Sequence, residues 1–550
     1  MYLNGENTDQ HFGVLFMNDI GEWELCHEES TADKAFRWSG FLLDVTTQYI
    51  MIIPGTPGLT ILEAAFYSNG NHIMPTGYNP EESKALFDEP ELVPEYPFFT
   101  NSMFFDENLH ALTAYEFIHG KPPVEVTHPP LGKILIALGI RIFGMSPFGW
   151  RIMCALFGVL LIMPLYALAK YMFGSRLLAF LTAFIFTFDF MRFVQSRIAS
   201  LDIFLVAFVI CMYLFMYKYI QIFRQKDSQT VRQTNRQTDK DCQPIPEERL
   251  NKKALLYLGC SGAFMGLAIA VKWSAAFAGL GIGALFAMAW YEARPRYDSQ
   301  KRNAKLHLGN LRGQNAKEKQ EFHDAGETHV GKYKKDLIRT GLWCILFFVV
   351  VPMVIYCLSY IPFSRASGLR WPNGIIQNQA DMFSHHAYLT DRHEYQSGWW
   401  TWPFNIRPMS YSLVALPDGT AGGMVTFGNP VVWWAGVIAL IWCLKRWFFD
   451  KDKTARFLCI SWTAQILPWV FITRSSFIYH YFPCVPFLTL MTVYFIKIKP
   501  TKQQWRYALA YGVLALVLFA VFYPVLGGMS ASSLDYVKGL QWLPGWRFVG

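Results

Sequence analysis

Long runs of apolar residues alternate with short polar segments along most of the chain. Since about 20 apolar residues span a bilayer, each of these runs predicts a membrane-spanning helix. The ten predicted spans lie near 148–171, 177–193, 202–223, 254–271, 274–291, 337–362, 428–444, 457–472, 478–497 and 507–527. The pattern therefore predicts a mostly α-helical, polytopic membrane protein.

The N-terminal residues follow a different pattern. The segments "GFLLDVTTQYIMIIPG" (40–55) and "GLTILEAAFYSNGNHIMP" (58–75) are strand-like runs bounded by Gly, Pro and Asn. We expect residues 1–97 to form a small β-rich region, with a β-sandwich as the working hypothesis. Residues 98–530 would form the membrane domain, and 531–550 a tail.

Composition agrees with a membrane class. The 550 residues are 53% hydrophobic and 17% aromatic, and the mean hydropathy is +0.20. The net charge of +8 is concentrated in short loops between predicted spans, which is typical of membrane topology and does not indicate nucleic-acid binding. The ten cysteines follow no metal-ligand spacing and are interpreted as small apolar side chains.

The basic loops predict the topology. Four stretches rich in Lys and Arg, at 224–253, 293–339, 445–456 and 497–506, should be cytoplasmic by the positive-inside rule. Two predicted spans separate each stretch from the next, so the four assignments agree. The loop at 363–427 and the polar residues singled out below then fall on the outer face. Ten spans also place both termini outside, which leads us to expect a further first span preceding this sequence.

Two adjacent carboxylates, Asp106 and Glu107, precede the first predicted spans in "MFFDENLH". Neighbouring residues on a helix point about 100° apart, so these acids cannot both address one atom, and separate roles are expected. The structural alternative is an acidic helix start, because Asp and Glu favour a helix N-terminus.

Cations and further acids follow at the predicted outer turns. The segment "THPPLGK" places His128 before an amphipathic helix that carries Lys133, and "QSRIASLD" places Arg197 and Asp202 around a short turn. The fork of an Arg side chain suits phosphate oxygens. The alternatives are a plain helix entry at His128 and an Arg197–Asp202 ion pair that pins the turn.

Two later turns add further candidates. Lys272 and Trp273 lie between two Gly- and Ala-rich spans, and Arg474 precedes "SSFIYHYFP". Lys272 would bind a phosphate or act with Trp273 as an interfacial anchor.

The loop at 363–427 is rich in aromatic residues and histidine. Aromatic faces of this kind stack on sugars, peptides or a membrane surface. Zinc binding is not predicted, because the histidines do not follow a known zinc spacing. The candidate residues for acceptor and sugar binding are His385, His386, His393, Trp399 and Trp400.

Several motifs in order resemble the protein O-mannosyltransferase family. They are "FFDENLHALTAYEFIHG", "THPPLGKILIALGIRIFG", "PFGWR", "QSRIASLDIF", "VKW", "HEYQSGWWTWP", "GNPVVWW" and "FIYHYFP". Each motif alone is weak, but the ordered set, covering roughly residues 98–500, is specific. The resemblance implies a membrane glycosyltransferase of the GT-C architecture.

This resemblance also implies a function. Members transfer mannose from a polyprenyl-phosphate carrier to Ser or Thr hydroxyls of translocated proteins. The family's acidic pair corresponds to Asp106 and Glu107, its His-Pro-Pro element to 128–130, and its Arg and acidic residue to Arg197 and Asp202. Eukaryotic members carry a β-trefoil insertion that the loop at 363–427 is too short to hold, so we expect a bacterial plasma-membrane protein.

The expected chemistry follows from these assignments. Asp106 would be the base that activates the acceptor hydroxyl, and Glu107 would position the acceptor or tune Asp106. A group of donor-binding residues would hold the lipid phosphate and the sugar, namely His128, Lys133, Arg197, Asp202, Lys272 and Arg474. The resemblance implies inversion at the sugar carbon. No tightly bound cofactor is expected, and a divalent metal is left open.

The expected partners are the lipid-linked donor, membrane lipids and secreted Ser/Thr-containing proteins, which the secretion translocon would deliver. The sequence leaves two alternative functions. One is a GT-C enzyme that moves another sugar to a lipid or glycan. The other is a transporter, which is disfavoured because transporters place polar residues near the midplane, often in repeated units.

Overall fold

The computed structural model describes most of the chain. The described residues are 2–3, 11–30, 36–55, 60–68, 71–94, 99–236, 251–310, 334–389, 393–415, 419–528 and 532–548, with side chains described to 222 in the helix that ends at 236 and to 292 in the helix that ends at 310.

Short strands dominate the N-terminal region. They are β1 (Tyr2–Leu3), β2 (His11–Met17), β3 (Trp23–Ser30), β4 (Ile50–Pro54), β5 (Ile61–Glu63), β6 (Phe66–Ser68) and β7 (Asn71–Ile73). The central strand β2 pairs with β3 and β4, β1 pairs with β5, and β6 pairs with β7, all antiparallel. Phe12 and Val14 of β2 form the buried centre of this region. The expected β-rich region is confirmed, but its described residues form three small sheets instead of the two facing sheets of a sandwich.

Helices make up the rest. They are α1 (Glu107–His119), α2 (Leu131–Phe143), α3 (Pro147–Leu160), α4 (Ile162–Phe173), α5 (Arg176–Thr187), α6 (Phe190–Gln195), α7 (Asp202–Arg236), α8 (Lys252–Val271), α9 (Ala275–Asn310), α10 (Lys334–Ala366), α11 (Asn373–Tyr388), α12 (Pro430–Phe448), α13 (Lys453–Ile466), α14 (Val485–Lys497), α15 (Thr501–Leu526) and α16 (Leu534–Gly539). A hairpin of β8 (Met409–Ala415) and β9 (Thr420–Thr426), extended by β10 (Ser532–Ser533), covers one end of the bundle.

Eight helical segments among the described residues are long and apolar enough to cross a membrane. They are Pro147–Phe173, Asp202–Ile222, Lys252–Val271, Ala275–Glu292, Lys334–Ala366, Pro430–Phe448, Ile478–Lys497 and Thr501–Leu526. Eight of the ten expected spans are thereby confirmed.

The other two expected spans are interrupted. Helix α5 ends at Thr187. The side chain of Asp189 then accepts a hydrogen bond from the N–H of Arg192 and so caps the start of the separate helix α6. Helix α13 ends at Ile466 and continues as a tighter 3₁₀ turn, Leu467–Phe471, with Pro468 in its first turn. The apolar runs were read correctly, but a capping acid and a proline divide the helices.

Helix α7 is the central helix of the bundle. In its most apolar stretch 83% of the residues are buried, against 6% in α10. Chains of aromatic and aliphatic side chains from α3, α4, α8, α9 and α14 pack around it. Helix α10 instead presents most of its surface outward, as expected for a helix that faces lipid.

Described residues next to three of the basic segments meet at one end of the bundle. Glu292, the last residue of the membrane-spanning part of α9 (Ala275–Glu292), forms ion pairs with Lys453 and Arg456 at the start of α13. At the same end, the Tyr494 hydroxyl donates to Asp452 over 2.5 Å. The end of the α9 span, the start of α13 and the end of α14 therefore meet, in agreement with the even number of spans predicted between basic stretches. That this end is cytoplasmic stays a prediction.

Glycines of α8 allow α10 to approach closely. A Cβ built on Gly262 would lie 1.9 Å from the Phe347 carbonyl oxygen, and one on Gly266 would lie 2.7 Å from the Pro352 Cα. Phe347 belongs to a π-helical turn, Leu346–Val350, within α10. Small residues that let two backbones come together are a common basis of helix packing in membranes.

We expect Gly262→Ala to destabilise the protein by about 1–3 kcal/mol, because the added methyl group meets backbone and not a movable side chain. Gly283→Ala is the matched control. It lies in α9, where a Cβ would meet nothing within 4 Å, so the better helix propensity of Ala should leave stability unchanged or slightly raised. Thermal unfolding of the purified variants in detergent compares them, and equal melting temperatures would contradict the close contact.

Candidate active site

A strained turn begins the site. Phe105 has a φ of 54°, a left-handed conformation that is rare for a bulky residue and costs on the order of 1–3 kcal/mol. Its ring stacks on Tyr411, with ring centres 4.2 Å apart. The next two residues, Asp106 and Glu107, then enter α1 in different directions.

Glu107 is fully engaged inside the protein. It has no accessible surface, and Arg151 of α3 donates to both carboxylate oxygens over 2.7 and 2.6 Å. The N–H of Ala199 adds a third hydrogen bond of 2.9 Å. Arg151 also donates to the carbonyl oxygen of Ser102, 2.9 Å away. Glu107 therefore fixes the start of α1 to α3 and to the turn before α7.

Asp106 has a different environment. Its side chain keeps some accessible surface, and no described residue forms a hydrogen bond with its carboxylate. The pKa of Asp106 is raised to about 7: burial is the main cause, Lys272 opposes the rise, and the nearby charges of Asp202 and Glu125 add to it. The result is a carboxylate that is free to accept a proton near neutral pH. The expected divergence of the two acids is confirmed.

Lys272 and Asp202 form a close ion pair. The Lys272 Nζ lies 2.9 Å from Asp202 Oδ1 and 5.5 Å from the centre of the Tyr479 ring. Lys272 follows the last residue of α8, and Asp202 is the first residue of α7. The pair therefore joins two outer turns beside Asp106. The alternative expectation of an Arg197–Asp202 pair is wrong, since Lys272 is the partner of Asp202.

Glu125 organises the turn before the His-Pro-Pro element. Its carboxylate accepts the N–H of Thr127 over 2.7 Å and lies 3.1 Å from the Nδ1 of His128. It also pairs with the Lys133 ammonium group. That pairing does not support the prediction that Lys133 binds the donor. The side chain of Lys133 has no accessible surface, and its three hydrogen bonds go to Glu125 and to the carbonyl oxygens of Glu125 and His128.

The same turn assembles a set of potential metal ligands. Donor atoms of His110, Glu125 and His128 lie within 4.8 Å of one another. The Lys133 ammonium group already occupies one oxygen of Glu125, so a divalent cation there would face a buried positive charge. The residues therefore fit a hydrogen-bonded ion pair better than a metal centre.

A cavity of about 1130 Å³ opens beside these groups. Four segments contribute to its wall: the turn at 127–129, the turn at 272–277 after α8, the end of α11 with the loop at 396–400, and the chain at 469–476 after α13. The predicted convergence at one end of the bundle is therefore confirmed for six candidates, namely His128, Lys272, His386, Trp399, Trp400 and Arg474.

Arg474 is the second cation of the cavity wall. In the part of the chain that the structure describes, its guanidinium forms no ion pair, and its one hydrogen bond goes to the Ser475 carbonyl oxygen at 3.4 Å. Burial lowers the pKa of Arg474. A desolvated guanidinium without a carboxylate partner is suited to an anionic ligand.

The aromatic loop forms the opposite wall. The N–H of Ser397 donates to the Ser476 carbonyl oxygen over 2.8 Å, which ties this loop to the segment that carries Arg474. A Cβ on Gly398 would lie 2.5 Å from the Trp400 ring, so Trp400 folds closely across Gly398. Trp400 is 62% exposed and presents a broad face at the cavity mouth.

Two of the predicted loop histidines lie outside the cavity wall. His385 is exposed on α11, and His393 is exposed with its ring against Phe477. The prediction that they bind sugar or acceptor is therefore not supported by their positions. His386 does line the cavity, and its Nε2 donates to the Thr127 carbonyl oxygen over 3.0 Å.

Arg197 does not reach the cavity. Its guanidinium donates to the Gly527 carbonyl oxygen over 2.6 Å, at the end of α15, and lies over the rings of Phe99 and Phe193. This position does not support the expected phosphate contact of Arg197, since its side chain closes a long-range backbone contact.

Sequence reasoning missed two residues, Arg151 and Glu125. Arg151 stood in the quoted motif "PFGWR" but received no role. A charged residue near the start of an apolar span is costly and needs a partner, and this signal could have identified it. Glu125 lacked any comparable signal, because it lies in a loop and its partner Lys133 comes eight residues later, in α2.

Comparison with known proteins then places the chain. Two family descriptions match it: "Dolichyl-phosphate-mannose-protein mannosyltransferase" over residues 127–229 and "C-terminal four TMM region of protein-O-mannosyltransferase" over residues 372–546. The chain belongs to the protein O-mannosyltransferase family.

Relatives of this family in bacteria cover most of the chain. A polyprenol-phosphate-mannose–protein mannosyltransferase of Mycolicibacterium smegmatis is 26% identical over 80% of this chain and 87% of its own. One from Corynebacterium glutamicum is 27% identical over 77% of this chain and 82% of its own. The yeast protein O-mannosyltransferase Pmt1–Pmt2 complex bound to the sugar donor aligns with a TM-score of 0.61 at 13% identity, over 81% of this chain and 89% of that chain. This likeness confirms the predicted GT-C fold.

Proposed function

We propose that this protein transfers mannose from a polyprenyl-phosphate mannose donor to Ser or Thr hydroxyls of translocated proteins. The observation that carries the proposal is the Asp106 carboxylate, which has no hydrogen-bond partner among the described residues and lies beside the Lys272–Asp202 pair. Family membership supplies the donor and acceptor classes. The cavity is open enough for a sugar phosphate and an extended peptide together.

In the proposed step Asp106 is the general base. It removes the proton from the acceptor hydroxyl as the oxygen attacks the anomeric carbon, and the bond from that carbon to the phosphate oxygen breaks. The proton goes to Asp106, and the electron pair leaves with the lipid phosphate. Because phosphate is a good leaving group, no strong general acid is needed. A single displacement of this kind inverts the sugar carbon.

The leaving phosphate needs positive charge at its side of the cavity. Lys272 and Arg474 both line the wall, and they would hold the phosphate and stabilise the charge it gains as the bond breaks. Asp202 would keep Lys272 in place until the donor arrives. His128, next to them on the wall, would contact the donor.

Glu107 receives a different role from the one expected. Both of its oxygens are taken up by Arg151 and by the N–H of Ala199, so it would position Asp106 through the start of α1 without touching the acceptor. The face of Trp400, with Trp399 beside it, would stack on the sugar or the peptide.

The site would face the outside of the membrane. The basic ends of the helices gather at the opposite end of the bundle, and by the positive-inside rule that end is cytoplasmic. Acceptor segments would then reach the cavity as they leave the secretion translocon. The bacterial relatives favour a plasma membrane as the location.

Asp106→Asn is expected to lower transfer by roughly 10²–10⁴-fold, since an amide cannot take the proton. It should leave the melting temperature unchanged or raised, because it removes a desolvated charge. The measurement is incorporation of radiolabelled mannose from polyprenyl-phosphate mannose into a Ser/Thr-rich peptide, in proteoliposomes.

The matched control is Asp381→Asn, an equivalent change on the surface of α11, which should transfer normally. Full activity of Asp106→Asn would remove Asp106 as the base. Label that enters lipid or glycan in place of peptide would keep the fold and overturn the acceptor, in favour of the alternative glycosyltransferase.

Transfer should depend on pH through Asp106. With a pKa of about 7, the base is half deprotonated at that pH, so kcat/KM should fall about tenfold for each pH unit below it and level off above it. An ordinary aspartate would give a flat profile between pH 5 and 9. The profile is measured at subsaturating peptide, and a flat result would show that Asp106 titrates normally or is not the base.

Arg474→Ala is expected to raise the KM for the donor by roughly tenfold or more, because one of two phosphate-binding cations is lost. Arg197→Ala removes a cation whose contacts among the described residues are backbone carbonyl oxygens and two phenylalanine rings, so it should lower the melting temperature and leave the donor KM within about twofold. Donor titrations at fixed peptide give both values. The reverse pattern would return the phosphate site to Arg197.

A further inference from the structure

Helix α11 has three distinct faces. One face packs on the protein: Met382 is fully buried, the Asn378 Nδ2 donates to the Val126 carbonyl oxygen over 2.7 Å, and His386 donates to that of Thr127. These residues recur every four positions, so they form one stripe along the helix. The stripe holds the turn that carries His128.

A second face is apolar and uncovered. Ile376 and Phe383 are 67% and 66% exposed, and seven residues apart on a helix they point within about 20° of each other. Ala380 lies between them. In the part of the chain that the structure describes, nothing covers these two large side chains.

The third face is polar. It carries Gln377, Asp381, Ser384 and His385, and a hydrogen bond of 3.0 Å joins Gln377 to Asp381. Around the axis of α11, the face that packs on the protein is therefore followed by an apolar face and a polar face. A helix with these faces fits the boundary between protein, acyl chains and water.

The residues before α11 connect its apolar face to a membrane-facing surface. Helix α10 ends at Ala366 and exposes Val354 and Leu358, as expected of a span that faces lipid. Trp371, 51% exposed, donates from its indole nitrogen to the Cys357 carbonyl oxygen over 3.2 Å. Exposed tryptophans are typical of the headgroup level.

Charge at this level also matches a bilayer. Arg365 in the last turn of α10 and Arg370 in the short link to α11 are exposed, and neither forms an ion pair among the described residues. Free cations at the end of a span are placed to contact lipid phosphates. The continuity of the apolar face with α10 and this positive charge both indicate that lipid acyl chains cover the apolar face.

We propose that α11 lies flat in the headgroup–acyl boundary of the membrane, with Ile376 and Phe383 among the acyl chains. Its protein face then holds the backbone at 126–127 at the depth of the lipid phosphates. The cavity wall that carries His128 is thereby set at that depth. This placement does not depend on the proposed reaction.

The test is photocrosslinking of the full chain in phospholipid vesicles. The photoreactive residue p-benzoylphenylalanine replaces Phe383 or Ile376 on the apolar face, and Gln377 or Ser384 on the polar face as matched controls. Leu509, 68% exposed on the spanning helix α15, serves as the positive control. Mass spectrometry measures lipid adducts on each peptide after irradiation.

Lipid adducts at positions 376 and 383 should exceed those at 377 and 384 by about tenfold, since only the apolar face would meet acyl chains. Equal yields on the two faces would overturn the proposal. So would the absence of an adduct at 383 when position 509 reacts. A crosslinked dimer at 383 would overturn it in favour of a second copy of the chain on this face.

Discussion

The buried ion pair between Glu107 and Arg151 is the contact on which the candidate site depends. It joins α1 to α3, and through the N–H of Ala199 it also joins the turn that leads into α7. Removing one partner of such a pair leaves an unpaired buried charge, which commonly costs about 3–5 kcal/mol. The pair therefore sets the direction in which α1 starts. Asp106 precedes this pair in the chain, and its carboxylate has no hydrogen-bond partner among the described residues.

Further ion pairs bring the rest of the site together. Lys272 is held by Asp202, and Lys133 is held by Glu125, so two of the three cations near the cavity are neutralised by protein carboxylates. Arg474 is the third and has no such partner among the described residues. The three cations therefore differ in their contact with the cavity. Lys133 stabilises the fold of the His-Pro-Pro turn, whereas Lys272 and Arg474 keep contact with the cavity.

Much of this arrangement could be predicted from the sequence, because it depends on patterns within short windows. Span lengths identified eight membrane helices, the basic loops identified the end of the bundle at which the polar turns meet, and helix geometry separated Asp106 from Glu107. Where a long side chain points is a different matter. Arg197 reaches a carbonyl oxygen 330 residues away, and Lys133 turns back into its own helix entry. No periodicity records such contacts, so the sequence did not predict either of them.

The depth of Asp106 has a consequence for the order of events in the life of an acceptor protein. The half-buried carboxylate interacts with Lys272, Asp202 and Glu125, and Lys272 lines the cavity. A serine in an extended, unfolded segment would reach such a half-buried group more readily than a serine on the surface of a folded domain. Mannose would then be attached mainly while the acceptor chain is still unfolded. Competition between folding and transfer, more than local sequence, would decide which hydroxyls are modified.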